Sequence, residues 1–131
     1  MPVSRLLFFA VAAALLMVSG GCGSGTRPEL GTVTGRLTLD GKPLTDAVVV
    51  FTPGSGGRKS MGHPDQDGKY ELSYIRDIKG AKVGPHTVRV TTGNKMTGKP
   101  ERLPPRYNTQ SELTVEVEPG ANVFDFDMTS R

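Results

Sequence analysis

The chain has 131 residues and a net charge of +3, with one Cys, two His and no Trp. This sets one domain as the ceiling and excludes an intramolecular disulfide and the usual zinc-ligand sets. Its 17 Gly and 10 Pro follow no collagen period and stay below the disordered range, which points to a turn-rich folded domain held together by burial alone.

Residues 1–21 carry Arg5 and no acid, followed by a 13-residue apolar run from Leu6 to Val18. A spanning helix needs about 20 apolar residues, whereas the apolar region of a secretory signal needs about 7–15, so the run reads as an export signal. Ser19, Gly20 and Gly21 then precede Cys22, and the tight pockets of a signal peptidase require such small side chains. The stretch resembles the lipobox of bacterial lipoproteins, whose Cys is joined to diacylglycerol and becomes the first residue of the mature protein. That motif usually has Leu three residues before the Cys, and Ser19 stands there in this chain. The resemblance makes Cys22 the lipidation site and the membrane a partner through a lipid anchor, held stably by two or more acyl chains. It places the protein in the bacterial cell envelope, in the periplasm or on the outer surface. Without it, the residues describe an ordinary signal cut after Gly20 or Gly21, with Cys22 left as an odd thiol. Residues 22–30 have the composition of a flexible tether, whose last eight residues reach roughly 15 Å.

Residues 31–131 show short alternating apolar runs broken by turn signals and no sustained helical period, so the class is all-β. Val33, Leu37 and Leu39 share one face of a first strand that ends at Asp40-Gly41-Lys42-Pro43. Ala47, Val49 and Phe51 repeat the alternation, and Val48 and Val50 predict a central strand covered on both sides. A Gly-rich loop from Pro53 to Lys59 follows, and then Asp65-Gln66-Asp67-Gly68 reverses the chain before a strand with Tyr70, Leu72 and Tyr74. Val88 and Val90 mark another strand, and residues 93–106 read as a long exposed loop. Leu113, Val115 and Val117 alternate with glutamates, and Pro119-Gly120 turns the chain into Val123 to Met128 as a final hairpin. About seven strands in some 100 residues fit one β-sandwich. Its core is expected to include Val49, Phe51, Tyr70, Leu72, Val88, Val90, Val115 and Phe126.

The order Gly35-Arg36-Leu37-Thr38, Gly41-Lys42-Pro43-Leu44, Ala47 to Phe51, Asp65 to Leu72 and Gly84-Pro85-His86-Thr87-Val88 resembles the carboxypeptidase regulatory-like, or transthyretin-like, domain. The resemblance covers nearly all of residues 31–128, extends to small bacterial envelope lipoproteins built from a signal, a Cys and this one domain, and implies a seven-stranded Ig-like sandwich. That family commonly has Thr directly before its Asp-x-x-Gly turn. Pro64 stands there in this chain and removes a backbone donor, so the strand before the turn should be short or at an edge.

Chemistry is thinly signalled. The related hydroxyisourate hydrolases need a His and Arg cluster and a Tyr-Arg-Gly-Ser ending, whereas this chain ends Met128-Thr129-Ser130-Arg131. Asp65 and Asp67 are weak cation candidates, because the Ca²⁺ loop signature needs further ligands and a later Glu. A turn capped by its own Asp side chains accounts for them. His63 and His86 read as surface or strand-end residues. No cofactor and no enzymatic activity are expected.

Residues 76–106 carry eight bases (Arg76, Lys79, Lys82, Arg89, Lys95, Lys99, Arg102, Arg106) against Asp77 and Glu101, while residues 107–131 carry five acids and only Arg131. Lys82, Lys95, Lys99, Arg102 and Arg106 are therefore the binding candidates, for an acidic glycan or an envelope protein. Export and scarce aromatics argue against nucleic acid. The bland alternative is internal neutralisation, with the acids of the final hairpin facing Arg89 and its neighbours. The function expected is a non-catalytic lipid-anchored envelope protein acting as a binding or spacer module. The alternative is an accessory or regulatory subunit of an envelope enzyme or transport complex.

Overall fold

The computed structural model describes residues 28–131. The export signal, Cys22 and the tether up to residue 27 lie outside the described residues.

The first strand, β1 (Leu30–Leu39), buries Val33 and Leu37 and turns Thr32, Thr34 and Arg36 outward, as a period of two requires. It ends at Asp40 (φ 53°) and Gly41 (φ 83°), two left-handed residues that make the two-residue reversal into β2 (Lys42–Pro43). The chain continues through β3 (Val48–Pro53), β4 (Ser60–Gly62), β5 (Lys69–Glu71), β6 (Ser73–Ile75), β7 (Ile78–Lys79), β8 (Ala81–Lys82) and β9 (Gly84–Thr91). After a 3-10 turn at Pro105–Tyr107 come β10 (Leu113–Val117), β11 (Gly120–Val123) and β12 (Phe126–Met128).

Two sheets result. In the first, β1 is central, with β8, β5 and β2 antiparallel along one side and β11 and β12 parallel along the other. The second runs β10-β9-β3-β4-β6-β7 and is antiparallel throughout. Their inner faces close on one core, in which Phe51 of the second sheet meets Phe124 and Phe126 of the first at ring distances of 6.1 and 6.4 Å. The all-β sandwich is the expected fold. The seven expected strands become twelve segments: the stretches 70–74 and 120–128 are each divided in two, the two-residue strands β2, β7 and β8 are added, and the chain twice changes sheet within a stretch that reads as continuous.

The first change comes at Leu72. The stretch from Tyr70 to Tyr74 is not one strand: β5 pairs with β1 and β6 pairs with β4, and fully buried Leu72 is the pivot between them. The second corrects the final hairpin. β10 pairs with β9, whereas β11 and β12 pair with β1, so the glutamates of β10 and the aspartates at 125 and 127 belong to different sheets. Asn122 fixes this crossing: its side-chain amide donates to the carbonyls of Thr32 (3.0 Å) and Glu118 (2.8 Å) and accepts from the Glu118 N–H. Arg89 does point outward on β9, with exposed Glu112 beside the neighbouring strand across from it, but Asp125 and Asp127 lie against the other sheet and, among the described residues, no ion pair joins Arg89 to an acid.

Seven of the eight expected core residues are buried, and Val115 packs partly buried on the edge strand β10. The strand β3 is central, but Val48 and Val50 are only half-buried, since a two-layer sandwich leaves the outer face of each sheet to solvent. The strand before the Asp65 turn is three residues long, in line with Pro64. His86 is corrected from a surface residue to a core one: it is 2 % exposed, its ring lies 5.7 Å from Phe51, and its Nε2 meets the Lys82 carbonyl at 2.7 Å. Its place follows from the β9 alternation, which puts His86, Val88 and Val90 on the same inward face.

Because β1 runs about 33 Å, the sandwich has two distinct ends. Leu30, where the chain joins the sheet, lies beside β8 at one end. The Asp40 turn, Asp46 and the loop after β9 lie at the other.

Candidate functional site

The segment after β9 is the long loop expected, exposed over residues 94–102, but it is anchored more firmly than its composition suggests. Leu103 is buried in the core, and Tyr107 and Asn108 follow it inward. The organiser is Glu101, whose carboxylate accepts from the Thr92 hydroxyl (2.7 Å) and from the N–H groups of Thr92, Gly93 and Leu103. Burial alone would raise the Glu101 carboxyl, but these donors outweigh it and hold the group below its ordinary value. The Thr92 hydroxyl in turn accepts from the Arg102 N–H at 2.8 Å. An antiparallel bridge between Asn94 and Lys99 closes the loop, with Lys95 and Met96 at its exposed tip.

This knotted loop brings Lys99 and Arg102 onto one acid, Asp46, just before β3. Lys99 Nζ lies 2.9 Å from the carboxylate and the Arg102 guanidinium donates to its other oxygen. The hydrogen bond from Lys99 lowers the Asp46 carboxyl from its ordinary value against a small burial cost, and the Arg102 charge adds to this. Two hollows flank the trio. One, of about 290 Å³, is lined mainly by hydroxyl and amide side chains (Thr45, Thr91, Asn94, Thr97) together with His63 and Lys99. The other, of about 530 Å³, lies between Lys42, Asp40, Asp46 and Arg102. Each sets cations against Asp46 in near balance, so the chemistry offered is a dense set of hydrogen-bond donors and acceptors.

The five basic candidates do not form one patch. Lys99 and Arg102 meet at Asp46, and Lys95 stands free at the nearby tip. Lys82 lies at the opposite end of the sandwich and donates to the Gly56 carbonyl at 3.0 Å. Arg106 stacks over the Tyr107 ring at 4.7 Å and binds the Thr129 hydroxyl at 2.7 Å, tying down the chain's last residues. Asp65 Oδ1 accepts from the N–H groups of Asp67 (2.8 Å) and Lys69 (3.0 Å), which lowers its carboxyl and gives it the part of a turn cap. Asp67 is exposed beside it, and among the described residues no three His, Cys, Asp or Glu side chains gather as a metal-ligand group. Sequence reasoning passed over Asp46 and Glu101. Glu101 could have been noticed as the lone acid in a loop of otherwise basic charge, but Asp46 is brought to the loop only by tertiary folding.

No family model matches the chain, and no curated protein matches it. Among solved structures it is similar to a DUF3823 family protein from Parabacteroides merdae, at 15 % identity and a TM-score of 0.49, over 79 % of this chain and 47 % of that one. It is similar to a 9R-lipoxygenase from Cyanothece at 20 % identity and a TM-score of 0.43, covering 79 % of this chain and 17 % of that one. A third is the dioxygenase domain of a dioxygenase carbohydrate-binding protein fusion from Streptomyces sp. SirexAA-E, at 21 % identity and a TM-score of 0.42, over 81 % and 83 % of the two chains. The chain therefore spans under half the length of the first two. These likenesses are of fold alone. The expectation that the chain is not an enzyme is corrected to this extent: the structures it is similar to include a lipoxygenase and a dioxygenase domain, and a fold by itself does not exclude catalysis.

Proposed function

We propose that this protein is an exported, lipid-anchored component of the bacterial envelope, and that its sandwich, a carboxypeptidase regulatory-like module, binds a glycan through the loops farthest from its anchor. One observation carries the reading. The hollow beside Asp46, rich in Thr hydroxyls and Asn94, sits at the end of the sandwich opposite Leu30, where the tether from Cys22 joins the fold. A chain held to a membrane through residues 22–30 presents that end outward, at about 33 Å from the tether. Neutral, donor-and-acceptor-rich hollows suit sugar hydroxyls, each of which donates and accepts, better than they suit an apolar ligand. The carboxypeptidase regulatory-like reading is supported by the Asp65 to Gly68 turn and by Val48 to Phe51 lying in the central strand β3.

The deciding experiment is a pull-down with the full chain from detergent-solubilised envelopes, with protein and sugar analysed separately. Co-purifying glycan, lost when Asn94 and Thr97 are replaced by Ala, supports the binding module. A discrete stoichiometric protein with no glycan overturns it in favour of an accessory subunit.

A further inference from the structure

The outward face of the second sheet continues from the hollow beside Asp46 in three rows. Thr91 and Val48 are register partners, and extending the β3–β4 pairing by one residue sets His63 next to Val48; all three line the hollow. The next row is Arg89, Val50 and Met61. The third is Thr114, Thr87 and Thr52, with Lys59 following by extension of the same register. Two-residue steps of about 6.7 Å make the track roughly 13 Å long.

The third row ends in a depression of about 190 Å³ lined by Thr52, Lys59, Thr87 and Arg89, two cations and two hydroxyls without a carboxylate. Among the described residues Lys99 and Arg102 are engaged by Asp46, Lys82 by a carbonyl and Arg106 by Thr129, whereas neither Lys59 nor Arg89 is held in an ion pair or a side-chain hydrogen bond. Glu112, one residue beyond the Leu113–Val88 register pair, stands exposed across from Arg89 and forms no ion pair with it. Asp46 thus offsets Lys99 and Arg102 at the loop, whereas Arg89 and Lys59 face this depression without a paired carboxylate.

We propose that the depression is an oxyanion subsite and that the whole face is one track for an extended acidic polysaccharide, whose carboxylate or sulfate sits between Lys59 and Arg89. This rests on the glycan reading of the distal hollow and adds the class of glycan. Arg89 offers a planar fork of donors and Lys59 a point charge. The hydroxyls of Thr52 and Thr87 donate to an oxyanion or accept from a sugar hydroxyl. Between subsite and hollow, Val50 and the half-exposed Met61 give an apolar strip for the C–H face of a sugar ring.

The test is calorimetric titration of the full chain in a neutral detergent with three probes: a uronic-acid oligomer, a sulfated dextran oligomer and an uncharged dextran oligomer. The acidic probes should bind more tightly than the uncharged one, and added salt should narrow the gap. The tighter of the two acidic probes identifies the acid group. Replacing Lys59 and Arg89 together by Ala should weaken the acidic probes by at least about tenfold and leave the uncharged one unchanged. Thr87→Val, which keeps shape and strand propensity, should weaken the acidic probes as well, and thermal melts confirm that both variants fold. If acidic and uncharged probes bind alike, or the double variant keeps the acidic affinity, the subsite is wrong and the glycan reading stands. Displacement of the acidic probes by inorganic polyphosphate at equal strength overturns the polysaccharide assignment. Failure of all three probes to bind overturns both readings.

Discussion

The Tyr70 hydroxyl donates to the Phe124 carbonyl at 2.6 Å, across the backbone of Gly35. The bond joins β5 to the kink between β11 and β12, so it holds the crossing segment onto the first sheet from the opposite side of β1. Gly35 is what permits the approach, since a Cβ there would lie 1.8 Å from the Phe124 oxygen. Tyr70→Phe should therefore cost about 1–2 kcal/mol, the usual loss when a partly buried acceptor is orphaned. Gly35→Ala should cost more, because the obstacle is backbone. Burial, with a smaller contribution from the Asp125 charge, raises the Tyr70 phenol well above its ordinary value of 10.0. A raised group contributes stability that is complete below the unfolded value and fades as pH rises from there toward the folded one. Denaturant midpoints should accordingly fall above pH 10 in the parent protein and fall less in Tyr70→Phe.

Phe51 is fully buried and touches three other aromatic rings at 5.7, 6.1 and 6.4 Å. Phe51→Ala should lower stability by about 3–5 kcal/mol in urea denaturation. An unchanged midpoint would place Phe51 outside the core and refute the inward facing of β3.

These two residues also mark how far the sequence could be read. Phe51 was legible because strand period and burial coincide: Ala47, Val49 and Phe51 alternate, and the sheet obeys the alternation. Tyr70 was legible as core by the same rule, but its bond to Phe124 was not. Nothing local distinguishes a strand that continues past Leu72 from one that leaves its sheet there, since side-chain period is the same in both. The hairpin drawn through Pro119-Gly120 failed for the same reason, and there the deciding contacts are those of Asn122 with residues 32 and 118. The site divides likewise. Basic residues can be counted in the sequence, yet only folding shows that Asp46 occupies Lys99 and Arg102 while Lys59 joins Arg89 across two strands.

Asp46 gives a prediction in which stability and binding part company. Its pairs with Lys99 and Arg102 involve side chains more than two-fifths exposed, and exposed pairs contribute about 0–1 kcal/mol. Asp46→Asn should therefore shift the melting temperature little. It frees two cations beside the hollow, so acidic oligosaccharides should bind more tightly in low salt than to the parent protein. A large loss of stability would show instead that Asp46 anchors the loop.

Cys22 lies outside the described residues, and its lipidation is tested by mass. Protein extracted from membranes should exceed the mass of residues 22–131 by at least a diacylglyceryl group, and Cys22→Ala should move the domain into the soluble fraction. A mature chain that begins at Gly21 or Cys22 without lipid would leave plain secretion as the account.

Glu101 links the loop's shape to pH. Four donors converge on its carboxylate, from Thr92 twice and from Gly93 and Leu103. Together they hold its folded value below the ordinary 4.5 despite burial. A carboxyl depressed in the folded state contributes stability above its unfolded value and loses it as pH falls through the folded one. The loop should thus hold its form at neutral pH and loosen below about pH 4.5, releasing Thr92 and Leu103 together. Glu101→Gln keeps one oxygen acceptor but loses the charge, and should cost about 1 kcal/mol at pH 7, with exposure limiting the effect. As pH falls through the depressed folded value the parent and variant should converge, because protonation makes the parent carboxyl neutral too. Amide hydrogen exchange at Thr92, Gly93 and Leu103 reads this directly. Faster exchange in the variant at pH 7, with the difference vanishing in acid, is the expected result. Equal exchange at neutral pH would mean that burial of Leu103, rather than the carboxylate, sets the loop.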